Sequence, residues 1–321
     1  MQLATVLSPL SRENLRLAAQ CGVEGVVSRY PGPGREALRA VRDHIASEGL
    51  RLFAVEGHLP IERIKLGTDH DGRDLEEVRS LIRHMGELGI PLLCTNFMAG
   101  TDWVRTRVDA PERGGARVTA FDLAAAEQAV SLSATTGGPI DDEPVAAGVL
   151  WERLLAFLHG ILPVAEEHGV TVVMHPDDPP LAVFRHKARV LNSVEAFERL
   201  MAEAPSPNHA ICFCVGTFVA MGVSIPEAIG RLGQHIRYVH FRDVRGTAES
   251  FVETFHDNGP TDMVAVMRAL RSVGFDGPMR PDHVPQLEGE EDGEPGYTML
   301  GRLFAYGYIR ALMQATEPTA G

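Results

Sequence analysis

Residues that could bind a metal ion lie where short β-rich runs of the sequence end. His175, Cys214, His240 and Asp282 each close one such run. Imidazole, thiolate and carboxylate groups are good ligands for a borderline or hard divalent ion. Because neighbouring parallel strands lie only ~5 Å apart, four consecutive strand ends would direct these groups into one place. The positions therefore predict one divalent metal site, although any one such His or Cys alone would more often be buried packing.

Other polar residues stand beside these positions. The first candidate ligand is followed by Pro-Asp-Asp-Pro-Pro, which neither continues a strand nor easily enters a helix. We therefore expect Asp177 and Asp178 to be held rigidly near the mouth of the site, where they could bind substrate, with a solvated turn as the alternative. His283 directly follows the last candidate ligand, and Tyr297 returns ahead of the last predicted helix. Both are natural proton-transfer groups beside a metal.

Three arginines near these runs could bind a carboxylate group of a substrate. They are Arg105, Arg242 and Arg245. Guanidinium groups bind carboxylates in a bidentate manner, but an arginine in a loop is more often a solvated charge.

The remaining cysteines do not predict disulfides. Four cysteines at irregular spacing are too few for a disulfide framework. Cys212 lies two residues before a candidate ligand on the same strand face, so we expect it to pack inside the sheet. Cys21 and Cys94 are predicted core residues.

The elements that must position these residues alternate along the chain. Eight β-rich runs cover residues 2–7, 23–28, 52–56, 91–97, 170–175, 210–214, 236–241 and 278–282. Amphipathic, helix-like stretches cover residues 35–48, 74–88, 150–168, 194–204, 225–232, 261–273 and 299–313. Eight βα units predict a closed (β/α)₈ TIM barrel rather than an open doubly wound sheet, whose glycine-rich first turn is missing. With no repeat or linker, residues 1–321 are predicted to form a single catalytic domain.

Three connections after predicted strands are unusually long. They follow the fourth strand (residues 98–144), the seventh (242–260) and the eighth (283–298). In the first of them, residues 125–136 are expected to form a short helix and residues 137–144 a turn. All three leave the carboxyl ends of strands, where barrel enzymes place their chemistry.

Charge and hydropathy exclude several classes of partner. The formal net charge is −13 and no basic run occurs, which argues against binding a nucleic acid. No apolar stretch approaches the ~18 residues of a membrane span, and the first residues do not look like a secretory signal. We therefore expect a cytoplasmic protein that binds neither nucleic acid nor a membrane.

Several stretches together resemble the mannonate dehydratase family. They are Asn96-Phe-Met with Asp102-Trp-Val-Arg-Thr, Met174-His-Pro-Asp-Asp-Pro-Pro, Cys212-Phe-Cys-Val-Gly, Val239-His-Phe-Arg-Asp-Val-Arg-Gly, Phe251-Val-Glu-Thr-Phe-His-Asp, Arg280-Pro-Asp-His-Val-Pro and Gly301-Arg-Leu-Phe-Ala-Tyr-Gly-Tyr-Ile. They occur in the family's order over about two thirds of the chain. The resemblance implies a xylose-isomerase-like barrel that dehydrates D-mannonate to 2-dehydro-3-deoxy-D-gluconate.

The resemblance also implies roles for individual residues. The family's Mn²⁺-type ion is held by a His, a Cys, a His and an Asp in the motifs that match His175, Cys214, His240 and Asp282. The His and the Tyr that transfer protons in the family match His283 and Tyr297. Within the first matching stretches, Asn96 and Trp103 are assigned to substrate binding.

The sequence also departs from the family pattern at two places. Ala99-Gly100 follows Asn-Phe-Met where a Pro usually stands, and Val215-Gly216-Thr217 follows the ligand Cys where Thr-Gly-Ser usually stands. These departures bear on which sugar acid is bound more than on the metal.

Two other functions remain open on the sequence. One is a metal-dependent sugar isomerase or epimerase with the same barrel, although a Cys ligand argues against it. The other is a sugar-acid-binding protein without turnover. The expected ion is Mn²⁺ or Fe²⁺, with Co²⁺ or Zn²⁺ possible in purified protein, and a homo-oligomer is compatible with the sequence.

Overall fold

Eight parallel strands close into a barrel in a computed structural model that describes residues 1–100, 103–128, 130–131 and 143–317. We number them β1 (Gln2–Thr5), β2 (Gly25–Ser28), β3 (Arg51–Glu56), β4 (Leu92–Thr95), β5 (Thr171–Met174), β6 (His209–Cys214), β7 (Ile236–Phe241) and β8 (Pro278–Pro281). Each strand pairs with its neighbours in sequence, and β8 pairs with β1 to close the ring. The predicted TIM barrel is confirmed.

Ten α-helices occur among the described residues, and the larger ones pack around the barrel. They are α1 (Arg12–Gln20), α2 (Arg35–Ala46), α3 (Glu62–Leu66), α4 (Arg73–Leu88), α5 (Ala147–His168), α6 (Val194–Glu203), α7 (Val215–Ala220), α8 (Ile225–Leu232), α9 (Met263–Ser272) and α10 (Met299–Ala315). The side chains of Ser11, Ser193 and Asp262 cap α1, α6 and α9 by accepting a backbone N–H three residues on. Left-handed glycines, Gly89 and Gly169, end α4 and α5.

The helix α5 is long and apolar enough to cross a membrane by length and composition alone, contrary to the expectation that no stretch approaches a membrane span. In the fold it packs on the barrel: Leu154, Phe157 and Ile161 are fully or almost fully buried in the main apolar core, and the helix contacts α4 and β5. Its apolar character is therefore accounted for as that of a core helix.

Two strands end one residue earlier than predicted at the carboxyl end of the barrel. The ladder of β5 stops at Met174 and that of β8 at Pro281, so His175 and Asp282 directly follow their strands. Cys214 and His240 lie within β6 and β7 and are paired in register. The one-residue difference does not separate the four ligand candidates, because residues at the strand ends and just beyond them face the same mouth of the barrel.

The long connections after β4 and β7 contain strands, and the sequence analysis did not predict them. Arg107–Pro111, Arg117–Asp122, Val244–Thr247 and Ser250–Glu253 form one antiparallel sheet in which the two connections pair, with Phe251 opposite Phe121. Pairing between segments some 130 residues apart leaves little local signal in the sequence. Leu123–Gln128 forms a short 3₁₀-helix, whereas Asp102 and most of the helix and turn predicted at residues 125–144 lie outside the described residues.

The connection after β8 packs closely on the first turn of α10. A Cβ atom at Gly301 would lie 2.1 Å from the carbonyl oxygen of Pro285 and 3.1 Å from the Val284 side chain. Only glycine therefore permits this approach without a shift of the backbone. The contact fixes the segment that begins with His283 against the barrel.

Candidate functional site

The four predicted metal ligands lie together at the mouth of the barrel. Donor atoms of His175, Cys214 and His240 all lie within 4.8 Å of one another. The Asp282 carboxylate adds an oxygen 3.6 Å from Cys214 Sγ and another 3.7 Å from His240 Nδ1. Two imidazoles, a thiol and a carboxylate converging in this way fit the donor set of a transition-metal ion.

Hydrogen bonds orient two of these ligands. Nδ1 of His175 lies 2.6 Å from the carbonyl oxygen of Pro176. Because a carbonyl oxygen can only accept, Nδ1 carries the proton, and the lone pair of Nε2 is left to bind an ion. The hydroxyl of Thr217 donates to Cys214 Sγ at 3.1 Å. Thr217 belongs to a segment where the sequence departs from the family pattern, and it supports the ligand there.

The Cys214 thiol is prepared for ionisation. Burial opposes the thiolate, but the positive charge of Arg242 and polar contacts with the His175 and His240 rings outweigh it and lower the pKa of Cys214 to about 5, against repulsion from Asp282. A thiolate rather than a thiol is the form that binds a metal. The site therefore offers this ligand in its binding form at neutral pH.

A buried network of ion pairs surrounds the ligands. The guanidinium of Arg242 donates to Asp282 Oδ2 at 2.7 Å, to Asp178 Oδ2 at 2.8 Å and to Glu253 Oε1 at 3.4 Å. Arg105 makes two parallel hydrogen bonds to Asp178, each 3.0 Å long, and one to Glu253 of 2.6 Å. Each of these five side chains is buried. Arg105 and Arg242 thus bind the protein's own carboxylates in this structure.

His283 is held by two neighbours, Glu253 and Trp103. Its Nδ1 lies 2.7 Å from Glu253 Oε1, and its ring stacks on Trp103 with centroids 4.2 Å apart. Burial opposes ionisation of Glu253, but the charges of His283, Arg105 and Arg242 outweigh it and lower the pKa of Glu253 to about 2. A carboxylate can only accept, so Nδ1 carries the proton, and Nε2 is the nitrogen left to exchange one.

Tyr297 lies beside His283, and the two ring centroids are 5.6 Å apart. Guanidinium groups flank the phenol ring, with Arg29 at 4.9 Å and Arg302 at 4.8 Å from its centroid. Burial opposes the charge of Arg29, but Tyr297 and Glu56 raise the pKa of that guanidinium above its ordinary value. Tyr297 is therefore held in a cationic environment.

Three of the four metal-ligand candidates, together with His283, Tyr297 and Arg29, line one cavity at the mouth of the barrel. The described residues that line it are Arg29, Glu56, Gly57, His58, Cys94, Thr95, Asn96, Met98, Trp103, His175, Asp178, His240, Arg280, Asp282, His283 and Tyr297. Its lining of imidazoles, carboxylates and guanidinium groups suits a small polar ligand such as a sugar acid. Trp103 offers a buried Nε1–H that has no hydrogen-bond partner among the described residues, so this donor is free to bind a ligand.

Four of the residues predicted to bind substrate do not line the cavity. Arg105 and Arg242 belong to the buried network described above. Asp177 is fully buried and accepts the backbone N–H of Leu191 at 2.8 Å. Arg245 is about half exposed and pairs with Glu112 at 2.7 Å.

Sequence reasoning missed four charged residues of the site. Glu56 ends β3 and Arg29 directly follows β2. The position at the carboxyl end of a strand, which identified the metal ligands, therefore also identifies these two residues. Arg280, within β8, donates to Glu56 at 2.6 Å and to Asp282 at 2.8 Å. Glu253 lies in a stretch that resembles the family, but its contact with His283 follows only from the unpredicted sheet.

The chain is similar to mannonate dehydratases over most of its length. A family model described as D-mannonate dehydratase (UxuA) matches residues 9–135 and 141–320. Mannonate dehydratase of Oceanobacillus iheyensis is 33% identical over 303 residues, covering 88% of this chain and 86% of that protein. The crystal structure of mannonate dehydratase from Streptococcus suis serotype 2 has a TM-score of 0.85 at 28% identity, covering 98% of this chain and 93% of that one.

Similarity of fold extends further. The structure of an L-ribulose 3-epimerase has a TM-score of 0.64 but only 16% identity, covering 98% of this chain and 96% of that one, and shows the shared barrel alone. The family model, in contrast, spans most of the sequence, including every metal-ligand candidate. The chain belongs to the D-mannonate dehydratase family.

Proposed function

We propose that this protein is a metal-dependent sugar-acid dehydratase that converts D-mannonate to 2-dehydro-3-deoxy-D-gluconate and water. The observation that carries the proposal is that the metal-ligand candidates cluster together and that three of them line one cavity with His283 and Tyr297. Membership of the D-mannonate dehydratase family supports the substrate.

The reaction removes the proton on C2, next to the carboxylate, and the hydroxyl on C3. The enol that results becomes the 2-keto-3-deoxy acid. A divalent ion held by His175, Cys214, His240 and Asp282 would supply positive charge to stabilise the negative charge that develops on the acid. We propose Mn²⁺ or Fe²⁺ for this place, with Co²⁺ or Zn²⁺ as ions that purified protein could carry.

His283 and Tyr297 are the groups that we propose to move protons. Glu253 holds the Nδ1–H of His283, so the exchange takes place at Nε2. The phenol of Tyr297 lies on the same connection after β8, and Trp103 contacts both rings. Together they could remove the C2 proton and protonate the departing hydroxyl without a further residue.

Arg29 is the arginine that we propose to bind the substrate carboxylate. It lines the cavity, and among the described residues it takes part in no ion pair with a carboxylate, whereas Arg280 is occupied by Glu56 and Asp282. Asn96 and Trp103, which also line the cavity, are proposed to contact substrate hydroxyls.

The remaining sequence-based expectations stay proposals. We propose that residues 1–321 act as one catalytic domain on a small sugar acid in the cytoplasm. A homo-oligomer is compatible with this function, and the absence of nucleic-acid and membrane binding remains a prediction.

We expect metal-loaded protein to convert D-mannonate to a 2-keto-3-deoxy acid and chelated protein to be inactive, because charge on the developing enolate would then be unstabilised. The measurement is an assay for 2-keto-3-deoxy acids over a panel of hexonates and aldoses. Aldose–ketose interconversion without a keto-deoxy acid would instead indicate an isomerase. No conversion of any compound would indicate a binding protein.

We expect about one divalent ion per chain in purified protein and, after metal-free proteins are reloaded with Mn²⁺, a clear loss of Mn²⁺ in Cys214→Ala, because this variant removes one of four ligands. Elemental analysis measures the content. Cys21→Ala is the matched control, since Cys21 lies at the end of α1, away from the cavity. Equal Mn²⁺ content in both reloaded variants would remove Cys214 from the proposed site.

We expect His283→Asn and Tyr297→Phe each to lower kcat by ~10²-fold or more at saturating Mn²⁺, with little change in KM, because each loses a proton-transfer group. Steady-state kinetics with D-mannonate measure both constants. If His283 only orients Asp282, the Asn variant would bind metal ~10–100-fold more weakly and regain activity when metal is added. That recovery would contradict its role in proton transfer.

We expect Arg29→Ala to lower kcat/KM for D-mannonate by about 10–100-fold, since a charge-assisted hydrogen bond contributes ~1.5–3 kcal/mol. Arg29→Lys should recover part of the loss. Arg245→Ala is the matched comparison, because the sequence suggested that arginine for the same role. A loss confined to the Arg245 variant would favour the sequence-based assignment and contradict ours.

A further inference from the structure

Two cysteines that the proposed reaction does not use lie together inside the barrel. Cys94 on β4 and Cys212 on β6 are buried, and their Sγ atoms lie with a ring nitrogen of His240 in a group whose members are all within 4.8 Å of one another. We call Cys94, Cys212 and His240 the inner group. The sequence predicted both cysteines to be packing residues, but three ligand-type side chains at this separation are more than packing requires.

A disulfide is the first alternative, and the barrel geometry opposes it. The strand β5 lies between β4 and β6, since Cys94 is in register with Val173 and Val173 with Ala210. Strands spaced ~4.8 Å apart place the two cysteine backbones roughly 8–10 Å from each other, beyond the ~7 Å Cα separation that a disulfide tolerates. Thiols that meet across this gap can instead share a metal ion.

The spacing of the inner group suits a thiophilic ion. Ligand atoms around a tetrahedral Zn²⁺ lie roughly 3.5–4 Å apart, so the group needs a contraction of only about 1 Å or less. A carboxylate is also at hand: Glu56 pairs in register with Cys94, and its Oε2 lies 3.3 Å from His240 Nε2. Cys94 lines the cavity, which gives an ion a path from the barrel mouth.

We propose that the inner group is a second metal position, specific for thiophilic divalent ions of the zinc and cadmium class. Two thiolates and an imidazole favour such ions over Mn²⁺, which prefers oxygen ligands. His240 belongs both to this group and to the ligand set of the proposed catalytic ion.

The test uses Cd²⁺ because its bonds to thiolate give ultraviolet charge-transfer absorption. Metal-free wild type, Cys214→Ala, Cys94→Ala/Cys212→Ala and the variant with all three substitutions are titrated with Cd²⁺ under reducing conditions. Cys21 is retained in every protein, so the triple variant measures any background from it. This measurement does not depend on catalytic activity, so it is separate from the test of the proposed function.

We expect Cys214→Ala to bind about one Cd²⁺ with a thiolate band roughly twice that of Cys94→Ala/Cys212→Ala, because two thiolates bind in the first protein and one in the second. The triple variant should show neither band. Cys94→Ser and Cys212→Ser, each placed in the Cys214→Ala protein, should halve its band and serve if the double alanine variant fails to fold.

Two results would overturn the proposal. A Cys214→Ala protein with no more thiolate absorption than the triple variant would show that Cys94 and Cys212 do not bind the ion. An undiminished thiolate band in the Cys94→Ser and Cys212→Ser derivatives of the Cys214→Ala protein would show that the absorption does not come from this pair.

Discussion

The buried guanidinium of Arg242 is the constraint on which the site depends. It contacts Asp282, Asp178 and Glu253, and removal of one partner from such a network leaves buried charge uncompensated, which costs about 3–5 kcal/mol. The backbone makes room for it, because a Cβ atom at Gly216 would lie 2.8 Å from its Nη1. Arg242 thereby holds three carboxylates in one arrangement. They belong to the ligand candidate Asp282, to Asp178 after β5 and to Glu253 after β7.

The antiparallel sheet explains how residues distant in sequence reach this network. Ser250–Glu253 pairs with Arg117–Asp122, so the connections after β7 and β4 fold as one unit over the barrel. That unit carries Glu253, which accepts from His283, and lies next to Arg105 and Trp103. The proposed proton-transfer group is thus positioned by a second layer of structure, and the barrel strands alone would leave its ring without a partner.

The sequence was sufficient for features that follow from a local pattern. The alternation of β-rich and helix-like segments located the strand ends, and parallel strands must end side by side. Ligand-type residues at those ends then identified His175, Cys214, His240 and Asp282. It was insufficient where partners are set by distant pairing. Nothing local distinguishes Arg245, which pairs with Glu112 at the surface, from an arginine buried against carboxylates. Neither the antiparallel sheet nor the place of Glu253 in it could be read from periodicity, since the pairing joins separate connections.

The arrangement of His283 and Tyr297 bears on the choice between a dehydratase and an epimerase, which the shared barrel leaves open. Inversion at a single carbon is most directly served by proton-transfer groups on opposite faces of that carbon. Loss of water instead acts on two adjacent carbons, one losing a proton and the other a hydroxyl. His283 and Tyr297 lie on one connection, with ring centroids 5.6 Å apart and Trp103 in contact with both. Two groups side by side on one wall of the cavity can reach adjacent atoms of a substrate, which favours elimination over inversion.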